Sequence, residues 1–266
     1  MIRDGQVGLT WLGQSGFVLR FASATVLIDP FLSPHRDRLI PAPFAPSEAN
    51  GFDIVACTHE HSDHLDLEAL PQIADASPNA RFVIPEPCVE MVMAAGIPGD
   101  RLVGMQPSQP VECFGLTVHA VSARHGLHPA DAYNFGQELS GGLTRYLGYA
   151  IQAGRISVYH SGDTIDFDGL ANCIRDLHVE IALLPINGRD SEREAMDIVG
   201  NLDAVEAAQL AADSGVKVVV PMHYDMFAAN VGFPERLVET VRLRHPGLTV
   251  VIPARGVEIV YTSTST

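Results

Sequence analysis

Residues 52–66 read FDIVACTHEHSDHLD, and this stretch decides how the rest of the chain is interpreted. "DIVAC" is apolar and rich in β-branched side chains, the pattern of a buried strand. The nine residues that follow, Thr58–Asp66, hold three histidines and three acids. His59, His61, Asp63 and His64 spell H-x-H-x-D-H. If the backbone continues extended, His59, His61 and Asp63 share one face, and His64 points elsewhere or opens a helix. Two histidines would then grip one metal ion while Asp63 and His64 reach a second beside it. Imidazole and carboxylate together suit divalent Zn, Mn, Fe or Co. A polar helix cap at Ser62 or Asp63 is the ordinary alternative. It does not account for three histidines at this spacing on the end of a buried strand.

Working outward, "GLTWLGQSGFVLRF" and "TVLIDPF" on the N-terminal side are β-rich runs, expected to pair as antiparallel neighbours. On the C-terminal side "HLDLEALPQIADA" has helical spacing, with Pro71 demanding a break or a fresh start. "ARFVIPEP" reads as a strand and "PCVEMVMAAGIP" as a short helix. "RLVGMQP" and "VECFGLTVHAVSA" read as strands, and Gly126–Gly142 as a polar loop. "RYLGYAIQAGRISVYHSGD" is expected to be a hairpin turning at Ala153-Gly154. Beyond it helices and strands alternate: "DGLANCIRDL" helix, "EIALLPING" strand, "LDAVEAAQLAADSG" helix, "VKVVVPMHYD" strand, "PERLVETVRLRH" helix, "LTVVIPARG" strand. β meanders followed by alternating strands and helices predict an α/β (α+β) fold: two mixed sheets packed together with helices outside, a four-layer αββα sandwich.

The chain has 266 residues, 47% of them hydrophobic, enough for one large core. No linker-like run interrupts it, so residues 1–266 are expected to form a single domain. Two pseudo-duplicated halves sharing a core would look the same. Asp plus Glu outnumber Lys plus Arg by 32 to 17, a formal charge of −15. Such a surface repels phosphate backbones and argues against nucleic acid as a partner. The start, "MIRDGQVGLTWLG", lacks the apolar region of a signal peptide, and no run is long enough for a membrane span. A cytoplasmic enzyme without a membrane partner is expected, and a homo-oligomer is compatible with the sequence. The four cysteines, Cys57, Cys88, Cys113 and Cys173, are scattered in or beside apolar segments and read as buried thiols.

Other strand ends also finish in His or Asp. "HAVSARHG" delivers His125, in competition with His119 and His128. "VYHSGDT" delivers Asp163 behind Gly162, and "VVVPMHYDMF" delivers His223. Taken singly, His223 reads more readily as a core histidine, and Asp163 equally well as a turn residue. Together they form a pattern that packing has no reason to produce. His160 is expected to brace the "SGDT" turn or a ligand by hydrogen bond. Asp29, before Pro30, is expected to accept the outer N–H of a ligating histidine or to cap its turn.

These motifs resemble the metallo-β-lactamase superfamily, whose H-x-H-x-D-H signature is met here by His59, His61, Asp63 and His64. Its later positions follow in order as His125, Asp163 and His223. "YHSGDT", "LLPINGRD" and "VVVPMHYDMF" are similar to the L-ascorbate-6-phosphate lactonase-like branch. The resemblance implies the αββα sandwich with a dinuclear site on the shared sheet edges. His59, His61 and His125 would hold one ion and Asp63, His64 and His223 the other, with Asp163 bridging. The ions would be Zn or Mn, with Fe as a further candidate. It also implies hydrolysis by a metal-bridged hydroxide, with Asp63 orienting it and handling the proton. The expected enzyme is a lactonase or ester hydrolase acting on a small, anionic, sugar-phosphate-like metabolite. A phosphodiesterase is the alternative. A non-hydrolytic redox protein ranks below both, since diiron relatives would carry a Glu at the position of His61 and a flavin domain. Arg124, Arg145, Asn187 and Arg189 lie near the site in sequence and are candidate contacts for an anionic substrate.

Overall fold

The computed structural model describes residues 1–107, 109–126, 142–195 and 200–263. Most of the polar loop expected from Gly126 to Gly142, His128 included, lies outside the described residues. The strands are β1 (Gln6–Gly13), β2 (Gly16–Arg20), β3 (Thr25–Ile28), β4 (Ile54–Ala56), β5 (Arg81–Pro85), β6 (Leu102–Met105) and β7 (Val111–Cys113). They continue as β8 (Leu116–Ser122), β9 (Leu147–Ala153), β10 (Ile156–His160), β11 (Ile181–Pro185), β12 (Val218–Met222), β13 (Thr249–Val250) and β14 (Glu258–Thr262). The α-helices are α1 (Leu70–Ala76), α2 (Val89–Ala94), α3 (Leu170–Asp176), α4 (Ser191–Ala195), α5 (Ala204–Ser214) and α6 (Pro234–Arg244).

Two seven-stranded mixed sheets carry the fold, in the orders β14-β1-β2-β3-β4-β5-β6 and β13-β12-β11-β10-β9-β8-β7. In the first, the pairs from β14 to β3 are antiparallel and those from β3 to β6 parallel. In the second, β7 to β10 are antiparallel and β10 to β13 parallel. The halves thus repeat one plan, with the C-terminal strand β14 returning to close the first sheet. Alternation along the strands explains the layering. Val26, Ile28, Ile54, Ala56 and Val83 enter the core shared with the second sheet. Their neighbours Leu27, Val55, Phe82 and Ile84 pack with Ile73 of α1 and Val92 of α2. The four-layer αββα sandwich is the observed architecture.

Local departures have simple causes. "GLTWLGQSGFVLRF" is two strands, β1 and β2, joined by a turn at Gln14-Ser15. "VECFGLTVHAVSA" is a hairpin, because Phe114 and Gly115 adopt left-handed φ of 51° and 74°. The helix expected from His64 begins only at Leu70, with Pro71 in its first turn. The last hairpin turns one residue later than expected, since Ala153 pairs with Ile156. α5 runs from an Asp203 cap that accepts the N–H groups of Val205 and Glu206 to Gly215 at φ 73°.

Candidate metal centre

Every polar end of interest lies on one edge of the sandwich. Asp29 follows β3, His59–His64 follow β4, His125 follows β8, Asp163 follows β10 and His223 follows β12. The segment after β4 is not extended, which corrects the alternation argument for this motif. His61 O accepts the N–H of His64 at 2.9 Å and of Leu65 at 2.7 Å, so the chain turns around the site. Asp66 ties this turn down. Its carboxylate accepts the N–H groups of Leu32, Ser33 and Ala69 and the Ser33 hydroxyl.

Two groups of potential ligand atoms result, each with all members within 4.8 Å of one another: His59, His61, His125 and Asp163 in one, Asp63, His64 and His223 in the other. Asp163 lies between them. Its Oδ2 is 3.6 Å from His125 Nε2 and 3.3 Å from His223 Nε2, and its Oδ1 is 3.4 Å from His64 Nε2. Asp63 Oδ2 is 3.5 Å from His223 Nε2 and 3.7 Å from His64 Nε2. Two donors each bonded to one tetrahedral ion at about 2.1 Å stand roughly 3.4 Å apart, so these spacings match the edges of such a polyhedron.

Hydrogen bonding points the same way. His64 Nδ1 donates to Asp29 Oδ2 at 2.6 Å, and Asp29 also accepts the N–H and hydroxyl of Thr58, each at 2.8 Å. This leaves His64 Nε2 and Asp163 Oδ1 facing each other at 3.4 Å, both buried and with no hydrogen-bond partner. A cation satisfies both, and unsatisfied buried acceptors are otherwise costly. His160 accepts from Gly162 N–H at Nδ1 (3.1 Å) and donates from Nε2 to Ser15 O (2.8 Å), which holds the turn that carries Asp163.

Charge divides the two groups. Burial keeps His59 and His61 below the ordinary imidazole range and pulls His125 down to about 3, so these rings stay neutral and ready to ligate. Burial opposes the charged form of His64 and His223 as well, but Asp163 and Asp63 outweigh it. His64 is held well above its usual value and His223 is raised to about 9. Both carboxyls are in turn held low by these two histidines, against the effect of burial. A cation held by these residues would take the place of those imidazolium protons. Burial also pushes the Cys57 thiol well up and Cys88 up to about 12, so neither is a thiolate nucleophile.

His119 sits apart on β8, bonded to Gln152 Oε1 at 3.2 Å. The four expected anion contacts are dispersed. Arg124 is exposed, with its guanidinium carbon 4.6 Å from the centre of the Phe167 ring. Arg145 donates to Glu60 at 2.5 Å. Asn187 is buried between Asn230 and Asn201, and Arg189 is committed to Glu206. Three side chains escaped the sequence reading. Tyr146 packs its ring 5.3 Å from His59 and 5.5 Å from His125. Thr58 bonds Asp29 as described. Gln14, in the β1–β2 turn, donates from Nε2 to Asp63 Oδ2 at 2.7 Å. A left-handed turn between Gly13 and Gly16 was the available signal. Gln14, Asp29 and His223 are three of the five non-glycine residues with positive φ among those described, and such strain gathers at functional sites.

This fold and this edge of histidines and carboxylates define a class. The chain belongs to the metallo-β-lactamase superfamily of metal-dependent hydrolases: the family profile described as a β-lactamase superfamily domain matches residues 24–224. A UPF0173 metal-dependent hydrolase of Methanosarcina mazei is 33% identical over 89% of this chain and 91% of its own length. A probable L-ascorbate-6-phosphate lactonase UlaG of Salmonella heidelberg is 26% identical over 75% of this chain and 56% of its own. Among solved structures, Igni18, a metallo hydrolase of Ignicoccus hospitalis, superposes with a TM-score of 0.75 at 22% identity, covering 97% of this chain and 100% of that one. That likeness is one of fold.

Proposed function

We propose that residues 1–266 act as one catalytic unit that holds two divalent ions and hydrolyses an ester, foremost a lactone, of a small anionic metabolite. The observation that carries this reading is the bridging of two ligand clusters by the buried Asp163. Zn or Mn fits the mixed nitrogen and oxygen donors. Bound there, such ions bring water towards neutral acidity and polarise an acyl oxygen. The chain's own residues divide the remaining work. Asp163 is 3% exposed and Asp63 18%, so Asp63 is the carboxylate able to meet solvent and substrate. It orients the attacking water, takes up its proton and passes it to the leaving ring oxygen. Asp63→Asn keeps an oxygen donor but loses the proton acceptor. We expect kcat to fall by about 10³-fold or more, with metal content near wild type by elemental analysis. A near wild-type rate would remove Asp63 from the proton path.

His223→Ala is expected to weaken metal uptake at the Asp63 cluster and spare the other, with unchanged far-ultraviolet circular dichroism. Loss of both ions together would show that the clusters do not load separately. The lactone reading draws on the similarity to the probable ascorbate-phosphate lactonase. Arg124, exposed just before His125, and Arg145, just before Tyr146, are the proposed anion anchors. The test compares sugar-phosphate lactones, neutral lactones and bis(p-nitrophenyl) phosphate under Mn and under Zn. Preference for the phosphodiester would overturn the ester reading. Arg124→Ala or Arg145→Ala should raise KM for the anionic lactone and spare the neutral one.

A further inference from the structure

The carboxamide of Gln14 stands among the ligand atoms of the Asp63 cluster. Nε2 is 2.7 Å from Asp63 Oδ2 and 3.1 Å from His223 Nε2, two atoms that are themselves 3.5 Å apart. A group within hydrogen-bonding distance of two prospective donors to one ion lies beside the space that ion takes. Gln14 is 1% exposed, and its backbone is clamped on three sides. Its N–H donates to Asp225 Oδ1 at 3.0 Å, and its carbonyl accepts Trp11 Nε1–H at 3.0 Å and the N–H of His223 at 2.9 Å. The residue is held at φ 50°, a conformation that persists only where the surroundings dictate it. The last bond therefore links the turn of the first sheet directly to the β12 end of the second.

Without a cation, the positive amide N–H group faces Asp63. With a cation among Asp63, His64 and His223, the same N–H group would face like charge. The oxygen and nitrogen of a carboxamide exchange places by a half-turn about its last side-chain bond, a soft and broadly two-fold torsion. No backbone movement is needed. Carboxamide oxygen is a hard donor that suits Mn and is tolerated by Zn. We propose that Gln14 is an additional ligand-side residue of the Asp63–His64–His223 site, presenting Oε1 to the bound ion and setting the affinity of that site. The inference rests on the two-ion reading above.

The test is equilibrium dialysis of the metal-free chain against Mn and Zn, for wild type, Gln14→Glu and Gln14→Met. The expected result is second-site binding at least fivefold tighter in Gln14→Glu and at least fivefold weaker in Gln14→Met, with first-site binding unchanged. Smaller changes, or changes in the same direction, overturn the role of Gln14 while two-ion uptake by wild type stands. A wild-type chain that takes up only one ion overturns the two-ion reading itself. Should Gln14→Met fail to fold by circular dichroism, Gln14→Glu, which keeps the side chain's shape, decides by the same fivefold criterion.

Discussion

Asp163→Ala will abolish turnover and most of the metal-dependent stability of the protein. Its two oxygens are the atoms shared by His125 and His223 on one side and His64 on the other, at 3.3–3.6 Å. Removing them takes a donor from both clusters at once. It also leaves His64 and His223, raised largely by Asp163, with less compensating charge in a buried site. An ion at 100 times its dissociation constant stabilises a fold by about 2.7 kcal/mol per site. For a chain of this size, that is a rise in melting temperature of roughly 5–10 °C for each ion. Melting curves with and without added Mn or Zn should show this rise in wild type and lose it in Asp163→Ala. Activity should fall by at least about 10³-fold. A variant that still melts higher with metal would show that Asp163 is not the bridge.

Gly162→Ala should damage the site through backbone alone, without touching a charged group. Gly162 has φ 60°, and a Cβ there would lie 2.7 Å from Leu147 O and 2.8 Å from Thr58 Cβ. Neither neighbour has room to yield. Leu147 N–H is bonded to Thr58 O at 3.1 Å, and the Thr58 side chain is bonded to Asp29. Left-handed strain and overpacking together should cost about 2–4 kcal/mol, a fall in melting temperature of roughly 5–15 °C. Asp163, one residue on, should be displaced enough to weaken metal uptake and activity together. A variant with wild-type melting temperature and metal content would show that the turn re-forms around the methyl group.

Much of this site was legible because ligand chemistry is written in residue type and spacing. His59, His61, Asp63 and His64 form a contiguous motif at a strand end, and each later ligand candidate closes another apolar strand. Gln14 and Tyr146 carried no such mark. A glutamine in a turn and a tyrosine opening a strand are ordinary residues until other segments arrive beside them. The same limit applied to β14, whose "EIVYT" lies mostly exposed at a sheet edge and lacks the apolar density of a core strand.

The sequence by itself determined the class of fold, the order of most of its strands and helices, and six of the seven His and Asp side chains that meet, with His125 left in competition with His119 and His128. Hydrophobic period and local turn chemistry act over a few residues and are readable there. Only the tertiary structure decided that the segment after β4 turns instead of running extended, which ring nitrogen faces which carboxylate, and how far each oxygen of Asp163 stands from the rings of the two groups. It also decided that Arg189 and Asn187 are held by Glu206, Asn201 and Asn230. These are matters of distance between segments more than 200 residues apart in the chain, such as Gln14 and His223, 209 positions apart. They are set by how the two sheets pack, and no local pattern encodes them.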